Sequence, residues 1–434
     1  MMRTITIILS KLSLYILSIL NKGGSFPGKV ALTLCPNILQ KLVYHQPVIL
    51  VTGTNGKTST VNMIAEACMV AGKSVAINTK GDNLRNGITT TLMKYATFFG
   101  RIKTDIIVLE VDELTLPSIF PQLPVSSLVV TNFFRDQLDR AKEMEQLIQG
   151  IEKSIHHYEG NLLLNGNDPN VMRLVKTAPS ATTYTYGMNI DMEDKIEETN
   201  EGKFCPICGA FLQYTGHYYS HIGRFHCEDC LFATPNLDVS IHKIDEGTFI
   251  VGEESFTISN PALYTMYNCL AVLLFAKVYD IPFDCVRQAF LQVKTPMGRN
   301  EKFIIQDQPW VMNLIKNPTG ANEVLKQVEK AQEDNIVIFA LNDNAQDGTD
   351  VSWIYDSDFE RILHKQTKAI ICCGQRAHDA ALRMKYGGYD GELILCEKLQ
   401  DAFEKGKSYH HPVYVLTTYT AMLPMRTIIR RESI

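Results

Sequence analysis

The sequence predicts an α/β protein in which a P-loop domain, interrupted by a four-cysteine zinc-ribbon insertion, is followed by a smaller Rossmann-like C-terminal domain. Two stretches of the chain alternate strand-like apolar runs with helical runs, a rhythm that indicates parallel sheets covered by helices. The glycine-rich segment "GTNGKTST" follows the first strand-like run of the first stretch. Two C-x2-C pairs interrupt that stretch further on. These three observations predict the fold class.

Length and composition agree with such a protein. The chain has 434 residues, of which 45% are hydrophobic and 21% charged, so two or three soluble globular domains are expected. The formal net charge of −5 provides no basic field, which disfavours wholesale nucleic-acid binding. The eleven cysteines, an odd number spread over a long chain, favour reduced thiols in a cytoplasm over a disulfide framework.

Residues 1–46 are predicted to form a helical segment packed on the domain that follows. The apolar residues of its first part fall on one helical face: Ile8, Leu12, Tyr15, Ile16 and Leu20. Lys11 interrupts this part, its longest clean apolar run is about half a bilayer span, and no signal-peptidase site follows. A helix that lies on a membrane surface is the alternative interpretation.

The strongest chemical signal is the P-loop in "VILVTGTNGKTST", inside a first domain predicted over residues 47–300. A buried strand, Val48–Thr52, leads into a glycine-rich turn and a helix, where backbone N–H groups and the helix N-terminus bind phosphate. Lys57 is expected to reach the β- and γ-phosphates of ATP, and Thr58 to bind Mg²⁺. The predicted ATP-binding residues of this loop are Gly53, Thr54, Asn55, Gly56, Lys57, Thr58 and Ser59.

Acidic and polar residues follow the next strands of this domain. Glu110 ends the run "DIIVLE" and is a candidate Mg²⁺ ligand. Asp112 and Glu113 are either further metal ligands or a solvated acidic cluster. The segment "TNFFRDQLDR" comes directly after another strand-like run. Because the carboxyl ends of parallel strands meet at one edge of a sheet, these segments are expected beside the P-loop.

A cysteine quartet marks the insertion predicted at about 202–233. Cys205, Cys208, Cys227 and Cys230 form two C-x2-C pairs, the pattern of a closed tetrahedral Zn²⁺ site with four thiolate ligands. Four free thiols are the alternative. A closed site has no open coordination position, so a structural role is expected rather than a catalytic one. The aromatic residues of the insertion are not interleaved with a basic patch, which disfavours a nucleic-acid-binding ribbon.

The second domain, predicted over residues 301–434, carries an aspartate-rich loop. The strand-like run "NIVIFAL" leads into "NDNAQDGTDVSW". Ala345 occupies the third ligand position of a calcium-binding loop, which excludes that kind of site. Two interpretations stay open: turn formers such as Asp347–Gly348, and a functional role for one of the acids.

Several motifs occur in the order known from Mur ligases, and the chain resembles that family over residues 47–320. They are "GTNGKTST", the strand-end Glu110, "TNFFRDQLDR", "LLLNGNDP", "YNCLA" and "MGR". Mur ligases use ATP to activate a carboxylate as an acyl phosphate during peptidoglycan precursor assembly. The resemblance implies a Mur ligase-like fold, ATP and Mg²⁺ as cofactors, and Mg²⁺ bound by Thr58 and Glu110. It also implies nucleotide contacts from Asn268 and Arg299.

Three positions depart from the Mur ligase pattern. Gln137 replaces a histidine that helps to bind a second Mg²⁺, and Glu152 stands where some members have a carbamylated lysine. Lys316 replaces the histidine of an H-N-P motif. The departures concern the second metal and the amino-acid-accepting half of a ligase, whereas the residues that form the acyl phosphate are present.

The cysteine insertion and "DNAQDGTDVSW" together resemble one Mur ligase-like family, MurT, over essentially the whole chain. MurT proteins are the synthetase subunits of lipid II isoglutaminyl synthases, and they work with a glutaminase subunit, GatD, that contributes a cysteine and a histidine. The resemblance implies that Asp350 is catalytic because it orients the histidine of a GatD-like partner, in a heterodimer or a larger complex. It implies that the C-terminal domain contacts this partner.

The implied reaction is ATP-dependent amidation of the D-glutamate α-carboxylate of lipid II to D-isoglutamine, with ammonia from the partner. The implied location is the cytoplasm, at the inner face of the membrane that carries lipid II. Two alternatives stay open. One is a stand-alone Mur or folylpolyglutamate-type amino-acid ligase, and the other is a nucleotide-regulated zinc-ribbon protein that binds nucleic acid.

Overall fold

The computed structural model describes residues 2–19, 24–78, 82–134, 144–191, 202–245, 247–259, 262–292, 298–331, 333–364 and 366–433. The described residues divide into two compact units, one made of 2–134 and 145–292, the other of 298–433. Each unit has its own central sheet.

The sheet of the first unit has the described strand order β11-β10-β9-β6-β5-β4-β1-β3-β2. Its strands are β1 (Val48–Thr52), β2 (Val75–Ile77), β3 (Ile106–Glu110), β4 (Ser127–Val130), β5 (Asn161–Asn165), β6 (Thr182–Met188), β9 (Val239–Asp245), β10 (Thr248–Val251) and β11 (Glu254–Thr257). All pairs from β2 to β9 are parallel, and β10 and β11 extend the sheet as antiparallel strands.

The centre of this sheet brings the predicted site segments to one edge. Strand β1 lies between β3 and β4, with Val51 opposite Glu110 on one side and Thr52 opposite Val130 on the other. All five residues of β1 and of β3 are buried, which explains why their sequences are apolar without alternation. The P-loop and the chain after β3 and β4 therefore leave the sheet together, and the predicted strand Val48–Thr52 is confirmed.

Helices cover both faces of the first sheet. They are α1 (Met2–Ile19), α2 (Phe26–Leu34), α3 (Ile38–Lys41), α4 (Lys57–Val70), α5 (Arg85–Tyr95), α6 (Leu116–Ile119), α7 (Met144–Ile155), α8 (Pro169–Met172), α9 (Leu174–Thr177), α10 (Leu263–Val278) and α11 (Phe283–Gln292), with a 3-10 turn at Phe120–Gln122. Helix α10 is apolar on nearly all sides because it is buried in the core between α4 and the strands.

The apolar face of the N-terminal helix α1 lies on the outside of the first unit. Ile8, Leu12, Tyr15 and Ile16 are 45–65% exposed, and Leu20 lies outside the described residues. The buried side of α1 carries Thr6, Ile7 and Ser10. The inward side of α1 therefore combines Ile7 with small polar side chains, whereas the apolar stripe identified in the sequence lies outward.

A two-stranded antiparallel hairpin, β7 (Gln213–Tyr219) and β8 (Ile222–His226), lies between the two cysteine pairs. Its aromatic residues Tyr218, Tyr219 and Phe225 are buried. These three aromatic residues thus pack as core, whereas Phe204 and Phe211 of the same insertion are 57% and 67% exposed.

The second unit is built on a sheet with the described order β12-β13-β17-β14-β15-β16, parallel except for β12. Its strands are β12 (Glu301–Ile305), β13 (Gln308–Leu314), β14 (Asn335–Ala340), β15 (Thr367–Cys373), β16 (Glu392–Leu395) and β17 (Val413–Thr417). Its helices are α12 (Pro318–Glu329), α13 (Ala377–Tyr386), α14 (Leu399–Lys407) and α15 (Tyr419–Glu432), with 3-10 turns at Ser352–Tyr355 and Phe359–Ile362.

Candidate active site

Gly53 and Gly56 of the P-loop are required by both backbone conformation and space. Their φ angles are +121° and +88°, which side chains other than glycine rarely adopt. A Cβ atom on Gly53 would collide with Thr131 Oγ1, and one on Gly56 would collide with Asn268 Oδ1. This close approach places Asn268, a predicted nucleotide-binding residue on α10, directly against the loop.

The P-loop is fastened to the chain that follows β4. Asn132 O accepts from Thr54 N at 2.9 Å, and Asn132 Oδ1 accepts from Asn55 N at 2.9 Å. Thr54 Oγ1 also accepts from Phe134 N at 3.0 Å. Asn132 is only 3% exposed, so this segment of "TNFFRDQLDR" shapes the loop from within. Arg135, Asp136, Gln137 and Asp139 of the same motif lie outside the described residues.

The first turn of α4 has the geometry of an anion site. The first bond of the helical pattern runs from Thr60 N to Gly56 O at 2.9 Å, so the N–H groups of Lys57, Thr58 and Ser59 precede that pattern. They add their partial positive charge to that of the helix N-terminus. The structure thus places the predicted loop residues where a phosphate group can be bound.

Lys57 is held inside the site by an acidic partner. Its Nζ lies 3.1 Å from Glu113 Oε2 and donates to the carbonyl oxygens of Gly53 (2.5 Å) and Thr54 (3.3 Å). Its side chain is 12% exposed and that of Glu113 is 8% exposed. Burial lowers the pKa of Lys57, but the Glu113 and Glu110 carboxylates outweigh it, so the net pKa is raised and the ammonium form is kept.

Glu113 is therefore a buried ion-pair partner and not part of a solvated acidic cluster. The neighbouring Asp112 accepts from Leu114 N at 3.1 Å, as a turn-capping aspartate does. Sequence patterns could not assign these two adjacent acids, because only the path of the chain after β3 decides which one faces Lys57.

Thr58 and Glu110 form the second half of the site. Thr58 Oγ1 donates to Glu110 Oε2 at 2.8 Å, and Asn83 Nδ2 donates to Glu110 Oε1 at 2.9 Å. The backbone of Glu110 is fixed by Asn78, whose side chain accepts from Glu110 N and donates to Glu110 O, both at 2.8 Å. The carboxylate is 4% exposed and oriented from both sides, which suits a ligand of a hard cation.

Two residues that contribute to the site, Asn83 and Asp168, were not predicted from the sequence. Asn83 lies in no motif that drew attention, although it orients the carboxylate of Glu110. Asp168 lies in the quoted motif "LLLNGNDP", but its role depends on long-range contacts. The position of Asp168 just after β5 is a signal that could have identified it, whereas Asn83 lies before α5 and carries no such signal.

Asp168 connects the cysteine insertion to the chain after β4. Its Oδ2 accepts from Phe133 N at 2.9 Å, and its Oδ1 lies 3.3 Å from His221 Nε2. His221 sits at the turn of the β7–β8 hairpin, and its ring lies 4.8 Å from that of Phe134. The Asp168 and His221 side chains are completely buried. The tip of the hairpin therefore packs against the chain segment that follows β4 and borders the P-loop.

Glu152, at the position where some Mur ligases have a carbamylated lysine, is neutralised by an arginine. Arg173 Nε donates to Glu152 Oε1 at 2.9 Å and Arg173 Nη2 donates to Oε2 at 3.1 Å. Thr177 Oγ1 donates to the same carboxylate at 3.2 Å. Both carboxylate oxygens are thus engaged in structural contacts rather than offered to a metal.

The four cysteines converge on one point. The Sγ atoms of Cys205 and Cys230 are 3.6 Å apart, those of Cys208 and Cys227 are 3.5 Å apart, and all four lie within 4.8 Å of one another. A tetrahedron with metal–sulfur bonds of about 2.3 Å has edges of about 3.8 Å. The quartet therefore has the dimensions of a tetrahedral thiolate site.

The two cysteine pairs are built alike. Cys205 N donates to Ala210 O and Cys227 N donates to Phe232 O, both at 2.7 Å. In each knuckle the residue after the second cysteine has a positive φ angle, +81° at Gly209 and +59° at Leu231.

In the second unit, a tight turn presents Arg299. Gly298 and Asn300 have φ angles of +72° and +50°. Two hydrogen bonds join them to β13: Leu314 N donates to Gly298 O (2.6 Å), and Asn300 N donates to Asn313 Oδ1 (2.7 Å). Arg299, which is partly exposed, is thus held at a defined point.

Lys316 of the K-N-P segment directly precedes the cap of α12. Asn317, the capping residue, accepts from Gly320 N at 2.8 Å. This capping bond stabilises the N-terminus of α12 and fixes the backbone next to Lys316.

The aspartate-rich loop after β14 contains acids with different roles. Asp347 is 2% exposed and accepts from Thr420 N (2.7 Å), Thr420 Oγ1 and Asn344 N (3.2 Å). Asp343 forms a half-exposed ion pair with Arg376 at 3.0 Å. Asp347 therefore fastens the loop to the start of α15, and its assignment as a turn former agrees with the positive φ of Gly348.

The Asp350 side chain is bonded within its own turn, whereas the side chains of Asp343 and Asp347 are bonded to Arg376 and Thr420. Asp350 Oδ1 accepts from Ser352 N at 2.8 Å, and its side chain is partly exposed. The 3-10 turn that follows is anchored by the buried Trp353. Asp350 is consequently an accessible carboxylate on a fixed backbone.

Comparison with family models finds two matches. Residues 51–233 match the family described as Mur ligase middle domain, and residues 314–422 match the family described as MurT ligase C-terminal. The first range covers the P-loop, Glu110 and the cysteine quartet, and the second covers Asp350.

Similar proteins are known along almost the whole chain. The lipid II isoglutaminyl synthase (glutamine-hydrolyzing) subunit MurT of Staphylococcus aureus (strain COL) is 32% identical over 416 residues, covering 95% of this chain and 94% of its own. The protein of the same name from Streptococcus pneumoniae (strain ATCC BAA-255 / R6) is 32% identical over 443 residues, covering 99% and 98%.

A solved structure also resembles the whole fold. The pseudomurein peptide ligase type C from Methanothermus fervidus aligns with a TM-score of 0.72 at 20% identity, covering 91% of this chain and 81% of its own. At this identity the likeness establishes a shared Mur ligase-like α/β fold.

Proposed function

The chain belongs to the MurT family, and from this premise we propose that it is the synthetase subunit of a glutamine-hydrolysing lipid II isoglutaminyl synthase. It is an ATP-dependent carbon–nitrogen ligase of peptidoglycan synthesis. One observation supports this function most directly, the convergence of Lys57, Thr58 and Glu110 at the carboxyl ends of β1 and β3.

The geometry of Thr58 and Glu110 fits a Mg²⁺ ion that accompanies ATP. Their oxygen atoms are 2.8 Å apart, and adjacent ligands of an octahedral ion with bonds of about 2.1 Å are about 3 Å apart. Mg²⁺, when bound, neutralises charge on the phosphate oxygens. Asn83 keeps the Glu110 carboxylate turned towards Thr58, and Asn268 borders the loop that receives the nucleotide.

Lys57 is proposed to change partner when ATP binds. It is paired with Glu113, within reach of Gly53 O, and moves to the phosphate oxygens as the nucleotide fills the loop. Its raised pKa keeps it cationic in both positions, so it can stabilise the charge that develops on the transferring phosphoryl group.

The reaction proceeds in two proposed steps. An oxygen of the D-glutamate α-carboxylate attacks the γ-phosphorus of ATP, ADP leaves, and an acyl phosphate forms. Ammonia then attacks the acyl carbon, the bond from that carbon to the phosphate oxygen breaks, and inorganic phosphate leaves. The nitrogen loses one proton to solvent, which gives the D-isoglutamine amide.

Ammonia is proposed to come from a GatD-like glutaminase subunit bound to the second unit. Asp350 supports this assignment because its carboxylate is accessible while its backbone is fixed by the buried Trp353. In this scheme it accepts a hydrogen bond from the partner's histidine and orients the ring next to the nucleophilic cysteine.

The cysteine quartet is proposed to bind Zn²⁺ in a structural role. The sulfur–sulfur distances support this metal, since they match a tetrahedral thiolate site. The ion would fix the two knuckles and, through the hairpin that carries His221, the wall beside the P-loop.

The proposed location is the cytoplasm at the inner face of the membrane, where a lipid-linked substrate is presented. A stand-alone amino-acid ligase is less well supported, because Arg173 neutralises the carboxylate of Glu152. A nucleic-acid-binding function is less well supported because the net charge is −5 and three aromatic residues of the hairpin, Tyr218, Tyr219 and Phe225, are buried.

The test is amidation of lipid II by the purified chain with its glutaminase partner, measured by mass spectrometry of the product. The wild-type complex is expected to convert D-glutamate to D-isoglutamine when ATP, Mg²⁺ and glutamine are present. The variant Lys57→Ala is expected to lose about 10²–10³-fold or more of this activity. Lys73→Ala, which removes an exposed lysine just after the same helix, is the matched control and is expected to retain full activity.

Two results would contradict the proposal. One is full amidation by Lys57→Ala while the protein remains folded. The other is a wild-type product that contains an added amino acid in place of the amide, which would identify a stand-alone ligase.

A further inference from the structure

The helix α1 carries its large apolar residues on the side that faces away from the first unit. The outward side chains are 40–65% exposed: Ile5, Ile8, Leu9, Leu12, Tyr15, Ile16 and Ile19. Thr6, Ile7 and Ser10 form the buried side. A helix on the surface of a water-soluble protein shows the opposite arrangement, with the apolar stripe inside.

Polar contacts hold α1 in this orientation. Ser10 Oγ donates to Pro27 O at 2.9 Å, which fastens the inward face to α2. Arg3 Nη1 donates to Lys41 O at 2.9 Å, and Lys11 Nζ donates to Lys94 O at 3.0 Å. A rotation of the helix that buried its apolar stripe would break these three hydrogen bonds. The bonds therefore keep the apolar stripe on the outside.

A second exposed apolar element adjoins the start of α1. Phe98 and Phe99 are 56% and 79% exposed, in the turn before Gly100. Gly100 lies against the side chain of Arg3, because a Cβ atom added to Gly100 would be 2.9 Å from Arg3 Nε. Exposed apolar side chains concentrated in this way are uncommon on a monomeric soluble protein and mark an interaction surface.

The charge of this part of the chain indicates what the surface contacts. Residues 1–46 contain five lysine or arginine residues and no aspartate or glutamate, although the whole chain has a net charge of −5. An apolar stripe combined with basic residues matches an anionic lipid bilayer, which accepts apolar side chains and attracts positive charge.

We propose that the outward face of α1 and the Phe98–Phe99 turn dock the first unit peripherally on an anionic membrane. This deepens the proposed function and rests on it for its purpose, since docking would hold the active site at the surface that presents the lipid-linked substrate. The helix lies in the plane of the interface, with its apolar side chains among the lipids and its polar side on the protein.

A transmembrane position is the competing arrangement. Among the described helices, α1 is the one that is long and apolar enough to cross a membrane, judged by length and composition alone. Crossing would require α1 to leave α2, to give up the Ser10 and Arg3 hydrogen bonds, and to bury Lys11 near the bilayer centre. These contacts favour a helix that lies flat.

The experiment is flotation of the full chain, with its partner, on vesicles of phosphatidylglycerol and phosphatidylcholine and on vesicles of phosphatidylcholine alone. The wild type is expected to float with the anionic vesicles and to be released by high salt, because Arg and Lys contribute to binding. The double variant Leu12→Glu, Ile16→Glu is expected to lower the bound fraction at least about tenfold, since it places two carboxylates among the lipids.

Leu382→Glu, Leu423→Glu is the matched control. Leu382 and Leu423 are both 49% exposed, close to Leu12 (52%) and Ile16 (48%), but they lie in the second unit. This control is expected to bind vesicles like the wild type. Because all four positions are exposed, both double variants are expected to fold, which circular dichroism and thermal unfolding would verify.

Three outcomes would overturn the proposal. Equal vesicle binding by the Leu12→Glu, Ile16→Glu variant would remove α1 from the contact. Binding that resists alkaline carbonate would identify a spanning helix. A wild type that does not float but forms a dimer, which the same variant dissociates, would identify a second copy of the chain as the occupant.

Amidation of detergent-dispersed lipid II separates this inference from the proposed function. The Leu12→Glu, Ile16→Glu variant is expected to retain this activity and to lose activity only on vesicle-bound substrate. A wild type without amidation in detergent would refute the proposed function and leave the vesicle result to stand by itself.

Discussion

Two clusters of acids follow parallel strands in this protein, one after β3 in the first unit and one after β14 in the second. In the first, Glu110 and Glu113 are 4% and 7% exposed, and each is bonded to a P-loop residue of the same unit. In the second, Asp347 is buried, while Asp343 and Asp350 are partly exposed. Similar positions in similar sheets therefore give different degrees of enclosure.

The difference teaches how to separate structural acids from acids that act on another molecule. In the first cluster every hydrogen-bond partner of Glu110 and Glu113 described above belongs to the same unit. In the second, Asp347 uses its carboxylate to hold the loop, whereas Asp350 has an accessible carboxylate on the same fixed backbone. An acid that is positioned but not enclosed is suited to complete a site on a partner.

The largest effect is expected from Asp350→Asn, assayed as glutamine hydrolysis by the complex with the glutaminase partner. Loss of the carboxylate is expected to lower hydrolysis by roughly 10³–10⁴-fold, because in the proposed scheme Asp350 fixes the tautomer and orientation of the partner's histidine. Amidation with ammonium chloride in place of glutamine is expected to continue, since the P-loop site is unchanged.

Asp343→Asn is the matched control in the same loop, because Asp343 is also partly exposed but is paired with Arg376. It is expected to leave hydrolysis close to wild type. Equal loss of hydrolysis in Asp343→Asn and Asp350→Asn would show that an acid held in an ion pair and an accessible acid do not differ in function.

The next largest effect concerns stability. Asp347→Ala is expected to lower the free energy of unfolding of the second unit by about 3 kcal/mol, because the N–H and O–H groups of Thr420 lose a charged acceptor. The chain has two tryptophans, Trp310 and Trp353, and both lie in the second unit, so urea unfolding followed by tryptophan fluorescence reports on that unit.

Asp343→Ala breaks a half-exposed ion pair and is expected to cost about 1 kcal/mol or less in the same measurement. Equal losses for the Asp343 and Asp347 variants would show that burial does not separate the two acids.

Removal of the proposed metal tests whether the cysteine quartet supports the P-loop site of the first unit. Cys227→Ser is expected to abolish the proposed Zn²⁺ binding and to lower amidation several-fold, because His221 at the hairpin tip supports Asp168 and, through it, Phe133 beside the P-loop. Cys285→Ser, outside the quartet, is the control. Zinc content by atomic emission and amidation with ammonium chloride are the measurements.

The tryptophan unfolding transition should stay the same in both cysteine variants, because the quartet lies in the first unit. Loss of zinc with unchanged amidation would separate the insertion from the P-loop site.

The smallest effect is expected at Glu301, a structural acid at the start of β12. Burial raises the pKa of Glu301, but hydrogen bonds from Arg426 (2.7–3.0 Å) and Gly298 N outweigh it, so the net pKa lies below the ordinary value of 4.5. An acid with a lowered pKa in the folded state stabilises above its unfolded pKa, and this stabilisation is lost as pH falls through the folded pKa.

Glu301→Gln is therefore expected to cost about 1 kcal/mol at neutral pH and to flatten the loss of stability of the second unit below about pH 4.5. Tryptophan-monitored unfolding at a series of pH values measures this slope. An unchanged slope would assign the acid sensitivity of the unit to other carboxylates.

Much of the fold could be predicted because its signals are local. The strand runs are apolar where they are buried on both faces, and the glycines of the P-loop are required by their own φ angles. Cys372 and Cys373 are adjacent residues of β15, so the alternation of a strand predicts that they point to opposite faces, and they belong to two separate core clusters of the second unit. The cysteine spacing likewise predicted the convergence of four thiols.

The sequence by itself determined which segments become strands, where the phosphate loop lies and which family the motifs resemble, because those properties depend on neighbouring residues. The tertiary structure alone decided that Glu113 pairs with Lys57, that Asn83 orients Glu110, and that α1 turns its apolar stripe outward. These outcomes depend on which side chains the folded chain brings within hydrogen-bond distance, across separations of 27 to 56 residues in the case of the two acids. Periodicity gives the faces of a helix, but only the packing of α1 on α2 decides which face is buried.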